Sequence, residues 1–282
     1  MSIDDPMELD SNHAAFFFAV CADRFYTAMV PFAVSDPDAD SAPSLGGQLL
    51  YAGELDQEGR ALLVAANVLG AATLTGSSDP AEQKRAVRDG VADFLVNTLD
   101  EALRILKNQL RKREGVSVCV AARTDAIERE MEERGVQPDL VAYGLSGLAR
   151  FPACFEGSAR HVELADAPTE RSVISWAAET SASIWLPKLD AIVLECLPAE
   201  SWPGEWAARR WLRLAPRYFG RLAEDRRIVS LGAEAAQKIF ECVQGAVKSG
   251  EIGVPIWVSM SSGAGTQSAR ATPPSAPLPT IV

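Results

Sequence analysis

The chain has 282 residues, 48% of them hydrophobic and 23% charged, so it can bury a core as one large or two modest domains. Its 27 basic and 38 acidic side chains give a net charge of −11, which argues against nucleic acid and anionic membranes as partners. The first ten residues, MSIDDPMELD, lack the basic and then apolar pattern of a secretory signal, so we expect a cytoplasmic protein.

The sequence offers few residues suited to a metal site. Only two histidines are present, His13 and His161, which argues against a multi-histidine site. The five cysteines are widely spaced and form no C-x-x-C pair, so reduced, buried thiols are expected. His161 lies in GSARHVEL without a nucleophile motif, which favours a surface or loop position over a catalytic one.

Two segments are poor in apolar residues and rich in helix and strand breakers. Residues 35–47, SDPDADSAPSLGG, are interpreted as a linker that follows an aromatic amino-terminal segment, residues 1–34. Residues 261–282 combine Gly, Ser and Pro, which predicts a disordered tail. The packed part of the chain is therefore expected between these two segments.

Short apolar runs alternate with amphipathic ones after the linker. Asp79 before Pro80 marks one helix start, and Thr98 with Glu101 forms a capping box at another. The predicted strands are residues 48–52, 71–75, 91–96, 115–121 and 139–144, and the predicted helices are residues 56–69, 80–89, 98–113 and 124–134. Because this alternation requires crossover connections, residues 48–145 are predicted to form a doubly wound, mostly parallel, Rossmann-like α/β sheet.

A second, smaller α/β region is predicted for residues 146–260. Its predicted strands are residues 189–197, 227–232 and 254–260, and its predicted helices are residues 204–222 and 233–249. Pro216 should interrupt the first of these helices. Residues 150–185 have no assignable pattern.

Four arginines recur along the predicted helix 204–222. They are Arg210, Arg213, Arg217 and Arg221. Their spacing predicts a basic stripe on one helix face, with an apolar stripe beside it. Arginines mixed with aromatic residues occur in single-strand nucleic-acid binding, but the net negative charge favours an ordinary amphipathic helix that docks on an acidic surface.

Several stretches occur together in the order in which one enzyme family has them. They are GAATL, LDEALRILKN, VSVCVAA, IEREMEERGVQPDLV and RIVSLGAEAAQKIFECVQGAVKSGEIGVPIWV. The chain in these parts resembles urocanases, the NAD⁺-dependent urocanate hydratases, most closely in RGVQPDLV and SGEIGVPIWV. The resemblance covers Gly46 to Tyr143 well and Trp211 to Val258 loosely. It implies a Rossmann-type domain for NAD⁺, which in that family acts as an electrophile towards the urocanate ring before water adds.

The turn that holds the cofactor's diphosphate departs from that family's pattern. The family loop G-x-G-G-M-G-G corresponds here to GELDQEG, in which only Gly53 and Gly59 remain. Glycines at these positions let backbone N–H groups approach a diphosphate at a helix amino terminus. The bulkier residues between them should block that approach.

Three acidic residues stand in the same turn. Glu54, Asp56 and Glu58 each bring a carboxylate that costs on the order of 1 kcal/mol near a phosphate, even with solvent screening. The favoured interpretation is that Asp56 and Glu58 cap a helix that has no ligand.

If NAD⁺ does bind, the resemblance leaves Gly53, Gly59, Arg60 and Ser77 as cofactor-binding residues. Arg60 could clamp a phosphate, although pairing with Asp56 or Glu58 is the more usual role of such an arginine. Ser77 falls where the family's fold has an acidic residue for the adenosine ribose. No catalytic residue and no metal ligand is assigned, because SMSSGAG replaces the family's Asp-His dipeptide.

Two functions remain open from the sequence. The favoured one is a diverged, non-catalytic binding or interaction module without cofactor, which acts through a protein partner or as a homo-oligomer. The alternative is an NAD-dependent hydro-lyase of the urocanate hydratase type, completed by a partner subunit. Urocanases are longer, and part of their substrate domain has no counterpart here, which supports the first function.

Overall fold

The computed structural model describes residues 6–34, 43–164, 171–197, 204–219, 225–262 and 265–274. The chain divides into two compact units, Met1–Ala167 with Leu214–Gly220, and Pro168–Arg213 with Arg221–Val282. The first unit thus extends beyond the predicted boundary at residue 146, because the chain adds another strand to its sheet after that point. None of the helices in the described ranges has the length and apolar character needed to cross a membrane.

The first unit is a six-stranded parallel sheet with helices on both faces. Its elements are α1 (Pro6–Met29), β1 (Leu49–Glu54), α2 (Gln57–Leu69), β2 (Ala72–Gly76), α3 (Pro80–Arg88), β3 (Phe94–Val96), α4 (Leu99–Lys112), β4 (Val116–Val120), α5 (Thr124–Glu133), β5 (Leu140–Ala142) and β6 (Arg160–Val162). The strand order is β3-β4-β2-β1-β5-β6, and all neighbouring strands are parallel. This arrangement confirms the predicted Rossmann-like α/β fold.

The central strands are buried on both faces because helices cover both sides of the sheet. On one face Tyr51 belongs to a core that includes Leu106 of α4 and Ile127 of α5. The opposite face carries Thr73 and Ser117, whose hydroxyl groups hydrogen-bond to each other at 2.9 Å. Because each hydroxyl has a partner, these polar side chains can lie in the core.

The predicted helix starts are confirmed at two places. The Asp79 carboxylate accepts a hydrogen bond from the Ala81 N–H at 2.8 Å, and the Thr98 hydroxyl accepts one from the Glu101 N–H at 3.3 Å. The Glu101 carboxylate reaches back to the Asn97 N–H at 3.0 Å, one residue before the position expected of a capping box.

The helix α1 lies in the amino-terminal segment, which the sequence analysis left without secondary structure. Its buried residues include Phe18, Ala22, Phe25 and Met29, spaced by three and four positions, and the helix packs on α2. This spacing forms one continuous apolar face. The amino-terminal segment is therefore part of the first unit rather than a separate region.

The linker prediction is wrong for residues 43–47. Ser44 pairs with Val34 in an isolated β-bridge, and the buried Leu45 donates its N–H to the Leu69 carbonyl at 2.8 Å. A single apolar side chain and two backbone contacts are enough to pack this end of the segment. Residues 35–42 lie outside the described residues.

The second unit contains a four-stranded antiparallel sheet. Its elements are β7 (Arg171–Ala178), α6 (Ala182–Cys196), α7 (Gly204–Leu214), β8 (Arg226–Gly232), α8 (Ala233–Lys248), β9 (Ile256–Ser262) and β10 (Gly265–Ala271). The strand order is β10-β9-β7-β8. β7 lies within the stretch that had no assignable pattern.

Two predictions for this unit are wrong. The strand predicted for residues 189–197 falls on the second half of α6, a helix along which Leu186, Leu189 and Val193 are buried at helical spacing. A short apolar run is compatible with either a buried strand or a buried helix, so its period was misjudged. The predicted disorder is wrong for β10, because its backbone pairs with β9 along seven residue pairs despite the low apolar content. Residues 275–282 lie outside the described residues.

The predicted arginine stripe is not continuous. α7 ends at Leu214, and the 3-10 turn Ala215–Arg217 follows at Pro216, as the proline predicts. Arg210 stacks on the Trp206 ring at 5.6 Å, whereas Arg217 follows the end of the helix. Arg221 lies outside the described residues.

The cysteines also differ from expectation at one pair. Cys196 at the end of α6 is bonded to Cys242 of α8, so the prediction of reduced thiols is wrong for these two. Cys21 and Cys119 are free and buried, as expected, while Cys154 is free and exposed.

We expect Leu106→Ala to lower the free energy of unfolding by about 2–5 kcal/mol, because it leaves a cavity at a fully buried position of α4. Leu103→Ala, one turn away and only partly buried, should have a smaller effect. Urea titration of both variants measures the difference. Equal losses for the two would contradict the assignment of Leu106 to the centre of the core.

Candidate functional site

β1 is the point at which the strand order of the sheet changes direction, because β2, β4 and β3 follow on one side of it and β5 and β6 on the other. β2 lies on one side of β1 and β5 on the other, so a crevice forms outside the carboxyl ends of β1 and β5. Open α/β sheets bind ligands at such a point. β1 and β5 pair through Leu50 with Leu140 and Tyr51 with Val141, and they separate beyond these residues. We call this opening the β1–β5 fork.

A tight loop after β5 returns the chain to the fork. We call residues 144–150 the β5 loop. The Gly144 N–H donates to the Leu148 carbonyl at 2.8 Å, and the Arg150 N–H donates to the Ala142 carbonyl at 3.1 Å. These bonds place Arg150 beside the end of β5, and its side chain is only 10% exposed.

The Arg150 guanidinium group occupies the fork. Its Nε donates to the Ala52 carbonyl at 3.2 Å, and Nη2 donates to the Glu54 carbonyl. Its two Nη atoms bind the two Asp56 carboxylate oxygens at 3.1 and 2.9 Å, which is a bidentate ion pair. The Glu58 carboxylate lies 3.6 Å from Nη1. One side chain thus joins the end of β1 to the start of α2.

The two acids in the first turn of α2 bind other parts of the chain as well. The Asp56 carboxylate accepts a hydrogen bond from the Gly59 N–H at 2.7 Å, so Asp56 is the N-cap of α2, as predicted. The Glu58 carboxylate accepts one from the Leu145 N–H of the β5 loop at 3.2 Å. A carboxylate of the protein therefore binds the helix terminus, where a diphosphate would otherwise bind.

Both remaining glycines face the Arg150 segment. Gly53 has a φ of +70°, and a Cβ added there would clash with the Arg150 carbonyl oxygen. A Cβ at Gly59 would clash with the Glu54 carbonyl and would lie 2.8 Å from Arg150 Nη2. The close approach of the protein's own chain thus accounts for both glycines.

The fold and this strand–turn–helix geometry agree with a known domain. Residues 35–146 match the model of the urocanase Rossmann-like domain. This match confirms the resemblance over residues 35–146, whereas the loose resemblance from Trp211 to Val258 lies beyond it.

One curated relative of the urocanase-like domain is the S-methyl thiourocanate hydratase of Variovorax sp. (strain JCM 16519 / RA8). It is 28% identical over 98 residues, which are 35% of this chain. The match spans only 18% of the relative's own length.

The NAD⁺ diphosphate that the family implies does not fit the loop of this urocanase-like domain in the arrangement described. The Gly59 N–H is already bonded to Asp56, and the Arg150 chain crowds the space next to Gly53 and Gly59. A diphosphate would also approach the carboxylates of Asp56 and Glu58. The Gly59 N–H and the Asp56 carboxylate at the start of α2 are instead bound by groups of the protein itself, Asp56 and Arg150 respectively.

Arg60, which the sequence suggested for a phosphate, binds Glu82 of α3 and Asp89, which directly follows that helix. Its Nη2 lies 2.7 Å from the Asp89 carboxylate, and its Nη1 lies 3.7 Å from that of Glu82. Its guanidinium also lies over the Phe18 ring of α1 at 5.7 Å. Its partners therefore differ from Asp56 and Glu58, the residues that the sequence favoured.

Ser77 follows β2 directly and is buried. Its hydroxyl accepts a hydrogen bond from the Asp79 N–H at 3.1 Å. Burial raises the pKa of Glu54, while hydrogen bonding with the nearby Ser77 and Thr124 acts in the opposite direction. The Ser77 hydroxyl is thus already used in the turn that leads into α3.

A second carboxyl group lies on the α5 side of β1. The buried Tyr51 hydroxyl donates to the Glu128 carboxylate at 2.8 Å. Burial raises the pKa of Glu128, and the Tyr51 hydrogen bond only partly offsets this effect.

His161 has a packing role in β6. Its ring contacts those of Tyr143 and Phe151, with centroids 5.7 and 5.3 Å apart. Within the described ranges, no group of three or more His, Cys, Asp and Glu side chains is arranged to hold a metal ion.

The sequence analysis missed Arg150, whose guanidinium group binds both the end of β1 and the N-cap of α2. In the sequence, Arg150 is a single arginine directly after the Gly-rich turn that follows β5. Its partners on β1 could be inferred only from the structure, in which β5 lies beside β1.

Glu128→Gln should flatten the dependence of stability on pH. The pKa of Glu128 is raised on folding, so the folded state binds more protons, and stability falls as pH rises from the ordinary glutamate pKa through the raised one. Glutamine keeps an acceptor for Tyr51 and carries no charge. Chemical denaturation at several pH values measures the difference.

Glu128→Ala provides the comparison, because it leaves the buried Tyr51 hydroxyl without this acceptor. We expect a loss of about 1–3 kcal/mol at every pH. A Gln variant as unstable as the Ala variant would contradict the role assigned to this hydrogen bond.

Proposed function

We propose that this protein is a non-catalytic binding or interaction module built on a urocanase-like Rossmann domain. A single observation carries the proposal: the Asp56–Arg150 ion pair and the N-cap bond to Gly59 use the groups that would bind a diphosphate. The module would act in the cytoplasm through a protein partner or as a homo-oligomer, in keeping with the net charge of −11.

The energy needed to rearrange the fork supports this proposal. A diphosphate at the start of α2 would have to displace Asp56 from the Gly59 N–H and from Arg150. The Gly59 hydrogen bond to the charged Asp56 contributes about 1.5–3 kcal/mol. The Arg150–Asp56 pair, whose carboxylate is 51% exposed, adds about 0.2–1 kcal/mol, so losing both would offset part of what a diphosphate gains. The bound phosphates would still face Glu58, which is 30% exposed beside the same turn.

The alternative function is an NAD-dependent hydro-lyase of the urocanate hydratase type. The similarity to a protein named as a thiourocanate hydratase supports it, over a part of that protein only. In this case Arg60 would have to leave Asp89, Ser77 would bind the ribose, and a partner subunit would complete the site. These rearrangements make the alternative the weaker proposal.

The purified protein should carry no NAD⁺ and should not consume urocanate. Native mass spectrometry measures bound dinucleotide, and the loss of urocanate absorbance measures hydration. A mass increment equal to NAD⁺ would overturn the proposal. A urocanase purified in the same way is the positive control.

Added NAD⁺ should also leave the melting temperature unchanged, because a ligand that binds only the folded state would raise it. Arg60→Ala tests the alternative, and each protein is compared with its own ligand-free melting temperature. A rise with NAD⁺ in the wild type that disappears in Arg60→Ala would favour the hydro-lyase.

A further inference from the structure

We infer that the β1–β5 fork is a binding site for guanidinium groups, occupied in the resting protein by the side chain of Arg150. Its ligand class is the small alkylguanidinium compounds, which would compete with Arg150 and release the β5 loop. The inference deepens the proposed function and rests on it, since it requires that no diphosphate occupies the fork.

The acceptors around Arg150 match the donors of a guanidinium group. Nε, Nη1 and Nη2 together donate four hydrogen bonds, to the carbonyls of Ala52 and Glu54 and to both oxygens of Asp56. A guanidinium group has five N–H donors in a fixed plane, so this set of acceptors satisfies most of them. The Arg150 side chain is 10% exposed, whereas the Asp56 carboxylate that it binds is 51% exposed, so the site opens to solvent on the Asp56 side.

The backbone acceptors arise from the topology of the sheet. The register of β1 with β2 shifts between Tyr51 and Glu54, and at this irregularity the carbonyls of Ala52 and Glu54 both face Arg150. The pairs between β1 and β5 are Leu50 with Leu140 and Tyr51 with Val141, and Ala52 lies just beyond them. The guanidinium group of Arg150 thus supplies N–H donors at the place where a longer β5 would have supplied its own.

The charges favour a planar cation over an anion or an ammonium ion. The Asp56 carboxylate takes both Nη atoms, and the Glu58 carboxylate lies 3.6 Å away. Because Asp56 also caps α2, its charge offsets the unfavourable effect of a cation near the positive end of the helix. An ammonium ion is a compact point charge and cannot bridge two carbonyls and a carboxylate in one plane.

The test removes the internal ligand and supplies an external one. Arg150→Ala should lower the melting temperature by about 5 °C or more, because a loss of 1 kcal/mol lowers it by roughly 2–4 °C in proteins of this size. Methylguanidinium at millimolar concentration, far below denaturing levels, should recover at least half of this loss with saturation. Methylammonium at the same concentration should recover none of it.

Two further variants are the controls. Arg150→Ala combined with Asp56→Asn should lose the response to methylguanidinium, because the bidentate acceptor is changed. Arg123→Ala removes an exposed arginine that also pairs with an aspartate, at 3.0 Å from Asp125, and should show neither the destabilisation nor the response. In the wild type methylguanidinium should act only weakly, because Arg150 competes as a tethered group.

Three results would overturn the inference: no recovery with methylguanidinium, equal recovery with methylammonium, or stabilisation of Arg150→Ala by inorganic pyrophosphate instead. If Arg150→Ala is recovered unfolded, its refolding yields in methylguanidinium and in methylammonium provide the same test. Equal yields in the two solutions would overturn the inference. The proposed function is contradicted by a different measurement, the detection of NAD⁺ on the wild-type protein. Failure of the inference and failure of the proposed function are therefore distinguishable.

Discussion

One ion pair joins distant parts of the first unit at the carboxyl end of β1. Arg150 and Asp56 are 94 residues apart in sequence, yet their bidentate contact closes the gap between β1 and β5. The same carboxylate begins α2, and the same guanidinium binds the last carbonyls of β1. Strand end, helix start and β5 loop are thereby held by a single pair of side chains.

This arrangement changes the chemistry of a familiar fold without changing its topology. In dinucleotide-binding sheets, the helix after the first strand offers free N–H groups and a partial positive charge to an anion. Here a carboxylate from the chain takes that place, and an arginine balances it. The urocanase-like sheet therefore carries an internal ion pair at the start of α2, where dinucleotide-binding sheets offer N–H groups to an anion.

The sequence predicts the first unit well because its signals are local. Buried strands and the caps Asp56, Asp79 and Thr98 each act within a few residues, and the structure confirms them. The prediction that Glu58 also caps α2 is wrong, because its carboxylate accepts from the Leu145 N–H, 87 residues away. Arg150 could not be predicted in this way, because its partners become neighbours only when the sheet forms. In the second unit, α6 was mistaken for a strand, because a short apolar run does not distinguish a buried helix from a buried strand. β10 was mistaken for a disordered tail, because its pairing with β9 leaves no apolar pattern in the sequence.

Gly53 and Gly59 have a consequence for how such turns are compared between proteins. Backbone crowding alone demands small residues there, so selection would preserve both positions in a lineage that had abandoned its coenzyme. A survey that counts glycines would still group such a lineage with the dinucleotide enzymes. The diagnostic positions are the ones between the two glycines, where this chain carries the side chains of residues 54–58 and the loop of the dinucleotide enzymes is glycine-rich.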